Sequence, residues 1–544
     1  MIKSLAVSAL ALAFAAQTHD HEHSPQLGRL TFETSCTPAA HAAMVQGLEW
    51  LHSFEYARAE RQFSAASSAD PGCGIAGWGV AMSFYHPLWA APTPSELQKG
   101  MAAIAKARAV GARSERERNY IIALEAFYRG APAVDHKSRV LAYNDAMAAL
   151  HHKYPADNQA ALFYALSLIA VGTIVRDPSY AREKQAGEII NQVLAAEPDN
   201  PGVWHYMIHS FDYPALATLA LPAARRYAVV APDSAHAQHM PSHIFTRLGL
   251  WDESIKSNLA AEAAAVAYEQ SSGMPGAWDQ QLHAMDYLAY AYLQTGRDPE
   301  LAALIDRLER IRHADPPSPT VAYAVTAIPA RALLERGKWN EAANLELVPT
   351  LGALPALANH KWAIGNVHFA RAIGAAHSGN TVVARSEIAA LAALEQSLVV
   401  PAGEYDWRKQ IAIQRQIAEA WLARAEHRDA DAERIMRAAA DLDDATEKHP
   451  VTPGSILPAR EQLGALLLEL NRPADALKEY QASLTRAPRR LAGLYGAARA
   501  AQRVGQNDAA RRYYAELLAI TKGGNSALTE IREAQAFTAK YAWP

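Results

Sequence analysis

Six histidines in the middle of the chain have spacings that suit chelation. His205/His209 and His239/His243 are four residues apart, and His236/His239 are three apart. On a helix either spacing stacks two imidazoles on one face, within reach of a shared ion. His283 falls in the next apolar-periodic segment, and Asp212 and Asp286 follow the first and third histidine segments. Imidazole nitrogen with carboxylate oxygen suits Zn²⁺, Cu²⁺, Fe²⁺ or Mn²⁺, and ligand type alone does not choose among them. Eight candidate ligands exceed one coordination shell, so either some act as supporting hydrogen-bond partners or two ions sit side by side. Asp212, Asp286 and Tyr290 are the candidates for base, ligand or proton relay. A histidine-lined polar surface for an acidic peptide, or a purely structural network, is the competing reading of the same residues.

The elements that must position these side chains are helices. Apolar residues recur at three- and four-residue spacing, alanine is abundant, and no alternating β-branched run competes. The helical stretches are short and stopped by Gly, Asn-Arg-Pro, Ala-Pro-Asp or Glu-Pro-Asp-Asn, so the chain calls for a search for repeats. Near the C-terminus, Ala476 to Ala510 and Tyr480 to Tyr514 are both separated by 34 residues, with Gly464, Pro488, Ala498 and Gly505 in matching places. Pro198 and Pro232 are also 34 apart, and Ala59, Phe63 and Pro71 keep the same mutual spacing. Small residues where two helices touch, an aromatic in the gap and a closing proline resemble the tetratricopeptide repeat (TPR).

That resemblance implies an all-α, TPR-like α-solenoid: a right-handed superhelix of about ten antiparallel helix pairs, each burying its face on the next. It also implies that the first helix of each pair lines a concave groove through its second, fifth, ninth and twelfth residues. With the register set from Pro198, Pro232 and Gly296 alone, the groove positions are Gly202, His205, His209 and Asp212, then His236, His239, His243 and Thr246, then His283, Asp286, Tyr290 and Leu293. Six of these twelve are histidine, where a chain-wide frequency of 21 in 544 predicts about half of one. The unit from Leu491 offers Ala492, Tyr495, Arg499 and Gln502 at the same positions, with no histidine. The enrichment is therefore local and on one face. The string Gln238–Trp251, with its His-Met-Pro-Ser-His-Ile-Phe core, is similar to one in exported bacterial TPR proteins of unassigned function. Ordinary TPR scaffolds do not load their grooves with histidine, and this departure sets a pure scaffolding role in doubt.

Composition excludes several classes. Lys and Arg against Asp and Glu leave a net charge of −4 over 544 residues, so no basic surface marks a nucleic-acid partner. Two cysteines cannot build a four-thiolate site. There is no His-Glu-x-x-His, no phosphate-binding glycine loop and no Gly-x-Ser-x-Gly elbow. Lys3, the apolar run Leu5–Phe14 and the small residues near 13–15 read as a signal peptide over 1–16, cleaved near 15–16. No stretch is long enough to span a bilayer. The expected location is periplasmic or secreted, where Cys36 and Cys73 either pair or remain buried thiols. A flexible leader over 17–34 carries His19, His21 and His23, read as a loose metal site or a solvated tail. Beyond it the expected units are N-terminal helical pairs over 35–157, a histidine-rich array over 158–314 and a C-terminal array over 320–544, with the last break at Asp315–Pro319. The aromatic segment Trp78–Trp89 is read as a hairpin core or, with His86 as an outlying ligand, as one end wall of the groove. His360, His368 and His377 are read as solvated or packing residues. Three functions follow as alternatives: a metal centre, catalytic if a coordination position stays open; a protein- or peptide-binding scaffold without metal; and metal storage or delivery.

Overall fold

The structure is a computed structural model that describes residues 25–540 apart from Trp89, Asn525 and Ser526. The expected signal peptide and the His19–His23 tract lie outside the described residues. Antiparallel helix pairs succeed one another from Pro38–His52 and Tyr56–Ala69 to Leu491–Arg503 and Asn507–Ile520, forming an all-α, TPR-like solenoid. One two-residue parallel bridge, Ala277–Trp278 with Ala314–Asp315, is the only sheet among the described residues.

The packing explains why small and aromatic residues recur. A Cβ at Gly464 would lie 2.8 Å from the Tyr480 ring, and one at Gly496 would lie 2.1 Å from it. Tyr480 is thus wedged between the first helix of its own pair and that of the next. Phe63 is held in the same way by Gly47 and Gly79, where a Cβ would come within 2.6 and 2.4 Å of its ring. Gaps this tight leave no room for a methyl group, since interiors are packed like organic crystals.

Two expected divisions differ in the structure. The buried apolar residues form two cores, one from Leu27 to Phe245 and one from Trp251 to Phe537. They part at Gly249, inside the unit expected over 158–314, rather than at residue 157 or at Asp315–Pro319. The helices on either side of 157, His136–Lys153 and Asn158–Ile174, pack together in the first core. Asp315–Pro319 is an internal turn, because helices Asp279–Thr295 and Pro319–Leu334 pack across it. The leader expected to be flexible over 17–34 is ordered from residue 25: Leu27, Leu30 and Phe32 are buried, and the Gln26 N–H donates to Asp233 Oδ2 at 2.7 Å. Burial of its apolar side chains offsets the entropy cost of ordering the segment. Cys36, just beyond it, is joined to Cys73 by a disulfide.

The groove itself is filled. Residues 445–458, between helices Asp429–Asp444 and Ala459–Glu469, drop back onto helix Asp279–Thr295. The Tyr287 hydroxyl donates to Thr452 O at 3.1 Å, and Lys448 Nζ reaches Asp212 Oδ2 at 3.3 Å. Behind this segment, Arg490 bridges Glu461 at 3.1 Å, Glu335 at 3.1 Å and the Tyr290 hydroxyl at 2.7 Å. The C-terminal repeats are thereby locked to the middle of the chain.

Candidate metal centre

Local sequence sets each histidine-bearing helix. Asn200 Oδ1 accepts from the Gly202 N–H and Pro201 occupies the first turn, starting helix Pro201–Phe211 with His205 and His209 on one face. Ser234 caps helix Ala235–His239 by accepting from the Ala237 N–H. Pro241, which lacks an N–H, then divides what the sequence reading took as one helix into Ala235–His239 and Pro241–Arg247. His239 and His243 straddle that break and still meet. His283 projects from Asp279–Thr295, a helix of the second core, so the histidines gather where the two cores join.

They gather as two triads. His205, His209 and His236 form one, and His239, His243 and His283 the other; within each, one nitrogen per ring lies within 4.8 Å of the other two. His205 Nε2 is 3.1 Å from both His209 Nε2 and His236 Nε2, and His239 Nε2 is 3.0 Å from His243 Nε2. The triads are neighbours: the His209 and His243 rings are 6.4 Å apart, and His236 and His239 are 6.3 Å apart. Four tetrahedral ligands at about 2.0–2.1 Å from zinc would stand about 3.3 Å from one another. The three separations of 3.0–3.1 Å are close to that edge length.

In four of the six rings the opposite nitrogen is tied to an oxygen. His205 Nδ1 donates to the His52 carbonyl at 2.6 Å, and His52 is itself held by Tyr206 and Gln159. His239 Nδ1 donates to Asn258 Oδ1 at 2.7 Å, while Asn258 Nδ2 donates to Ser254 O and so fixes the amide's orientation. His243 Nδ1 donates to Asp212 Oδ2 at 3.0 Å, and His236 Nδ1 lies 3.1 Å from Gln280 Oε1. Such outer bonds fix the tautomer and leave Nε2 as the ligand atom.

Electrostatics keeps the rings neutral. All six histidines are buried. Burial lowers His236 to about 3 and holds His205, His209, His239 and His283 well below the usual imidazole value, with neighbouring histidines adding to the effect. His243 is lowered by burial against the opposing pull of Asp212. Burial alone would raise Asp212, but Lys448 and Arg247 outweigh it and hold the carboxyl well below its usual range. Aromatic rings close the shell: Tyr227 stacks on His205 at 5.1 Å, Tyr287 on His243 at 4.9 Å, and the edge of Phe54 meets His205 at 4.3 Å.

The remaining groove positions have other occupations. Asp212 supports His243 and also accepts from Arg247 Nε at 2.8 Å. Asp286, a candidate base or ligand, instead accepts from the fully buried Arg331 at 2.7 Å. Tyr290, a candidate relay, accepts from Arg490 at 2.7 Å. Both corrections have one cause: a buried guanidinium requires an oxygen partner, and these two supply it. Thr246 Oγ1 meets Ser254 Oγ at 3.2 Å, and Leu293 is core. A Cβ at Gly202 would lie 2.6 Å from His52 Nδ1, so glycine here lets His52 reach His205.

A cavity of about 450 Å³ opens beside the triads and is walled on that side by His209 and Asp212. His86 and His360 line it without joining either triad, and the aromatic segment before Trp89 contributes Pro87 and Leu88 to the wall. His368 binds Glu387 at 2.6 Å and His377 lies against Trp339, and neither joins a triad. Sequence reasoning missed His52, Asn258, Gln280 and Lys448. The first three carry no motif, and Lys448 lies 236 residues from its partner Asp212.

The fold and site together define a TPR-like solenoid with a buried double histidine triad. No family model matches the chain, and no curated protein matches it. Among solved structures it is similar to the P58(IPK) TPR domain, with 14% identity, 93% of this chain and 99% of that chain covered and a TM-score of 0.21. It is also similar to the human IFIT1 dimer with m7Gppp-AAAA, with 13% identity, 82% and 90% covered and a TM-score of 0.37. The APC/C hetero-tetramer Cut9-Hcn1 is a third, with 11% identity, 93% and 91% covered and a TM-score of 0.34.

Proposed function

We propose that this chain is an exported TPR-like protein that binds two transition-metal ions, one in each histidine triad, and acts as a metal-dependent enzyme on a ligand held in the adjoining cavity. One observation carries the reading. The oxygens facing His239 Nδ1 and His243 Nδ1 are acceptors, so in the neutral rings both Nε2 atoms carry lone pairs, and they face each other across 3.0 Å. Two lone pairs at that distance in a buried site repel unless a cation lies between them. Three imidazoles per ion, with no carboxylate among the nearest atoms, suit zinc, copper or iron better than manganese. An ion with three protein ligands keeps a position at which water, dioxygen or substrate oxygen is polarised.

A peptide-binding groove is the weaker reading, because residues 445–458 occupy the surface a peptide would need. Storage or delivery is weaker too, since buried ligands exchange metal slowly. Export is supported by the apolar run Leu5–Phe14 and by the Cys36–Cys73 disulfide, which persists in oxidising compartments.

The test is metal analysis of protein produced without a polyhistidine tag, before and after reconstitution. Two equivalents per chain are expected in the parent, and one each in His209→Ala and His239→Ala. Substoichiometric metal after reconstitution overturns the proposal, as does a parent that loses no metal on either substitution. Mass spectrometry of the exported protein, with a new N-terminus near residue 16, checks the location.

A further inference from the structure

We infer that the cavity beside the triads binds an aromatic carboxylic acid, with the carboxylate turned toward Lys448 and the metal centre and the ring laid along the wall made by Trp362, Trp407 and Tyr405. This inference rests on the metal-centre reading and names the class of ligand for the same site.

Charge is the first argument. Six neutral imidazoles bring no negative charge to two divalent ions. Among the described residues the carboxylate hydrogen-bonded to a triad ring is Asp212, which Arg247 and Lys448 already share. The cavity wall carries four cationic side chains, Arg176, Arg247, Lys361 and Lys448, against the three carboxylates Asp212, Glu404 and Glu447. Without metal the wall is nearly balanced; with metal it is strongly positive. Uncompensated buried charge is costly, so the loaded site draws an anion from solvent. Lys448 is nine-tenths buried, lines the cavity and reaches Asp212, the carboxylate that supports His243, at 3.3 Å, while Arg176 stands exposed on the wall.

Shape is the second argument. The Trp362 and Trp407 rings stack 3.5 Å apart at 2°. Tyr405 meets Trp407 at 4.9 Å, and His449 meets it at 5.2 Å. The stacked pair presents an outer face and edges, with Tyr405 and His449 beside it, as an aromatic wall next to Lys448. Ligand pockets commonly enclose about 300–1,000 Å³, so the 450 Å³ here holds a one- or two-ring acid. Flat rings offset against such a wall gain dispersion and quadrupole attraction that saturated rings lack.

The experiment is calorimetric titration of the full-length, metal-counted protein with 4-hydroxybenzoate, 4-hydroxybenzyl alcohol and cyclohexanecarboxylate. The aromatic acid is expected to bind about tenfold or more tightly than either control, a difference typical of one charge-assisted contact or one lost stacking surface. Lys448→Met and Trp407→Leu should each weaken it by about tenfold, and Arg176→Gln, which lies exposed on the wall and is safe for folding, by about threefold. Equal binding of the alcohol, equal binding of the saturated acid, or indifference to all three substitutions overturns the inference. Protein that counts two metals but shows no preference for the acid refutes this inference alone. Protein that never holds metal yet binds the acid through Lys448 refutes the centre and leaves the cavity's ligand standing.

Discussion

Replacing Asp212 with Asn removes one negative charge from the junction between the centre and the cavity while preserving its shape. The amide oxygen can still accept from His243 Nδ1, now 3.0 Å away, so the ring stays aimed. Two effects follow. Arg247 and Lys448, whose side chains are 11% and 10% exposed, lose the carboxylate they share. Arg247 keeps Glu447 at 3.7 Å and the main-chain carbonyl of residue 212 at 2.9 Å, so the loss falls mainly on Lys448. Breaking one buried pair costs up to about 3–5 kcal/mol, to be read from urea unfolding of the metal-free protein. The second effect is on metal. A carboxylate behind a ligating imidazole raises its basicity, and its removal lowers metal affinity about 10–100-fold, or about 1.4–2.7 kcal/mol. Among the described residues Asp212 is hydrogen-bonded to a ring of the His239, His243 and His283 triad and acts on His209 of the other triad through space, while the His205, His209 and His236 triad is hydrogen-bonded to His52 O and Gln280. A zinc titration against a competing chelator should therefore resolve one weakened site and one site changed by less than about threefold. Equal weakening of both sites, or unchanged affinity at both, would refute the assignment of Asp212 as the support of one triad.

Acid should unfold the protein through its buried neutral histidines. His52 titrates near 4 in the folded chain against 6.5 when exposed, because burial disfavours its charge. The unfolded chain then binds more protons between those values, so the stability from neutral His52 is complete above pH 6.5 and lost as pH falls toward 4, about 3 kcal/mol in all. Urea midpoints across that window should fall, and more steeply in the parent than in His52→Gln; a flat profile contradicts the reasoning. Gly202→Ala forces a Cβ to 2.6 Å from His52 Nδ1 and should cost about 1–3 kcal/mol while disturbing the 205/209/236 site first, as site-resolved metal titration would report. Cys36→Ser opens a disulfide spanning 37 residues and should lower stability by about 3–4 kcal/mol without altering metal content. Unchanged unfolding of that variant under non-reducing conditions would mean the bridge does not form in the protein.

Much of the candidate site was legible because it is local. His205/His209 and His239/His243 are close in sequence; Gly464, Ala476 and Tyr480 mark the repeat, and Pro198, Pro232 and Gly296 set the register that put six histidines on one face. Asp286 and Tyr290 occupy the same register and were drawn into the prediction by it. Their partners, Arg331 and Arg490, lie 45 and 200 residues further along, and no periodicity connects them. The core boundary was missed for a similar reason. Asp-Pro-Pro-Ser-Pro signals a turn, but whether a turn divides two cores depends on what packs across it.

The amino-acid sequence by itself determined the helices, their pairing and the face on which the histidines stand, because backbone periodicity, caps and close glycine contacts act over a few residues. Tertiary structure decided that the six rings divide into two triads and that Asp212 rather than Asp286 serves them. It also decided that the open groove of a repeat array becomes a buried centre with a cavity beside it. The physical reason is the return of residues 445–458 and Arg490 onto the middle of the chain. Desolvation and long-range ion pairing act between surfaces that superhelical closure brings together, and only the closed fold sets which groups those are.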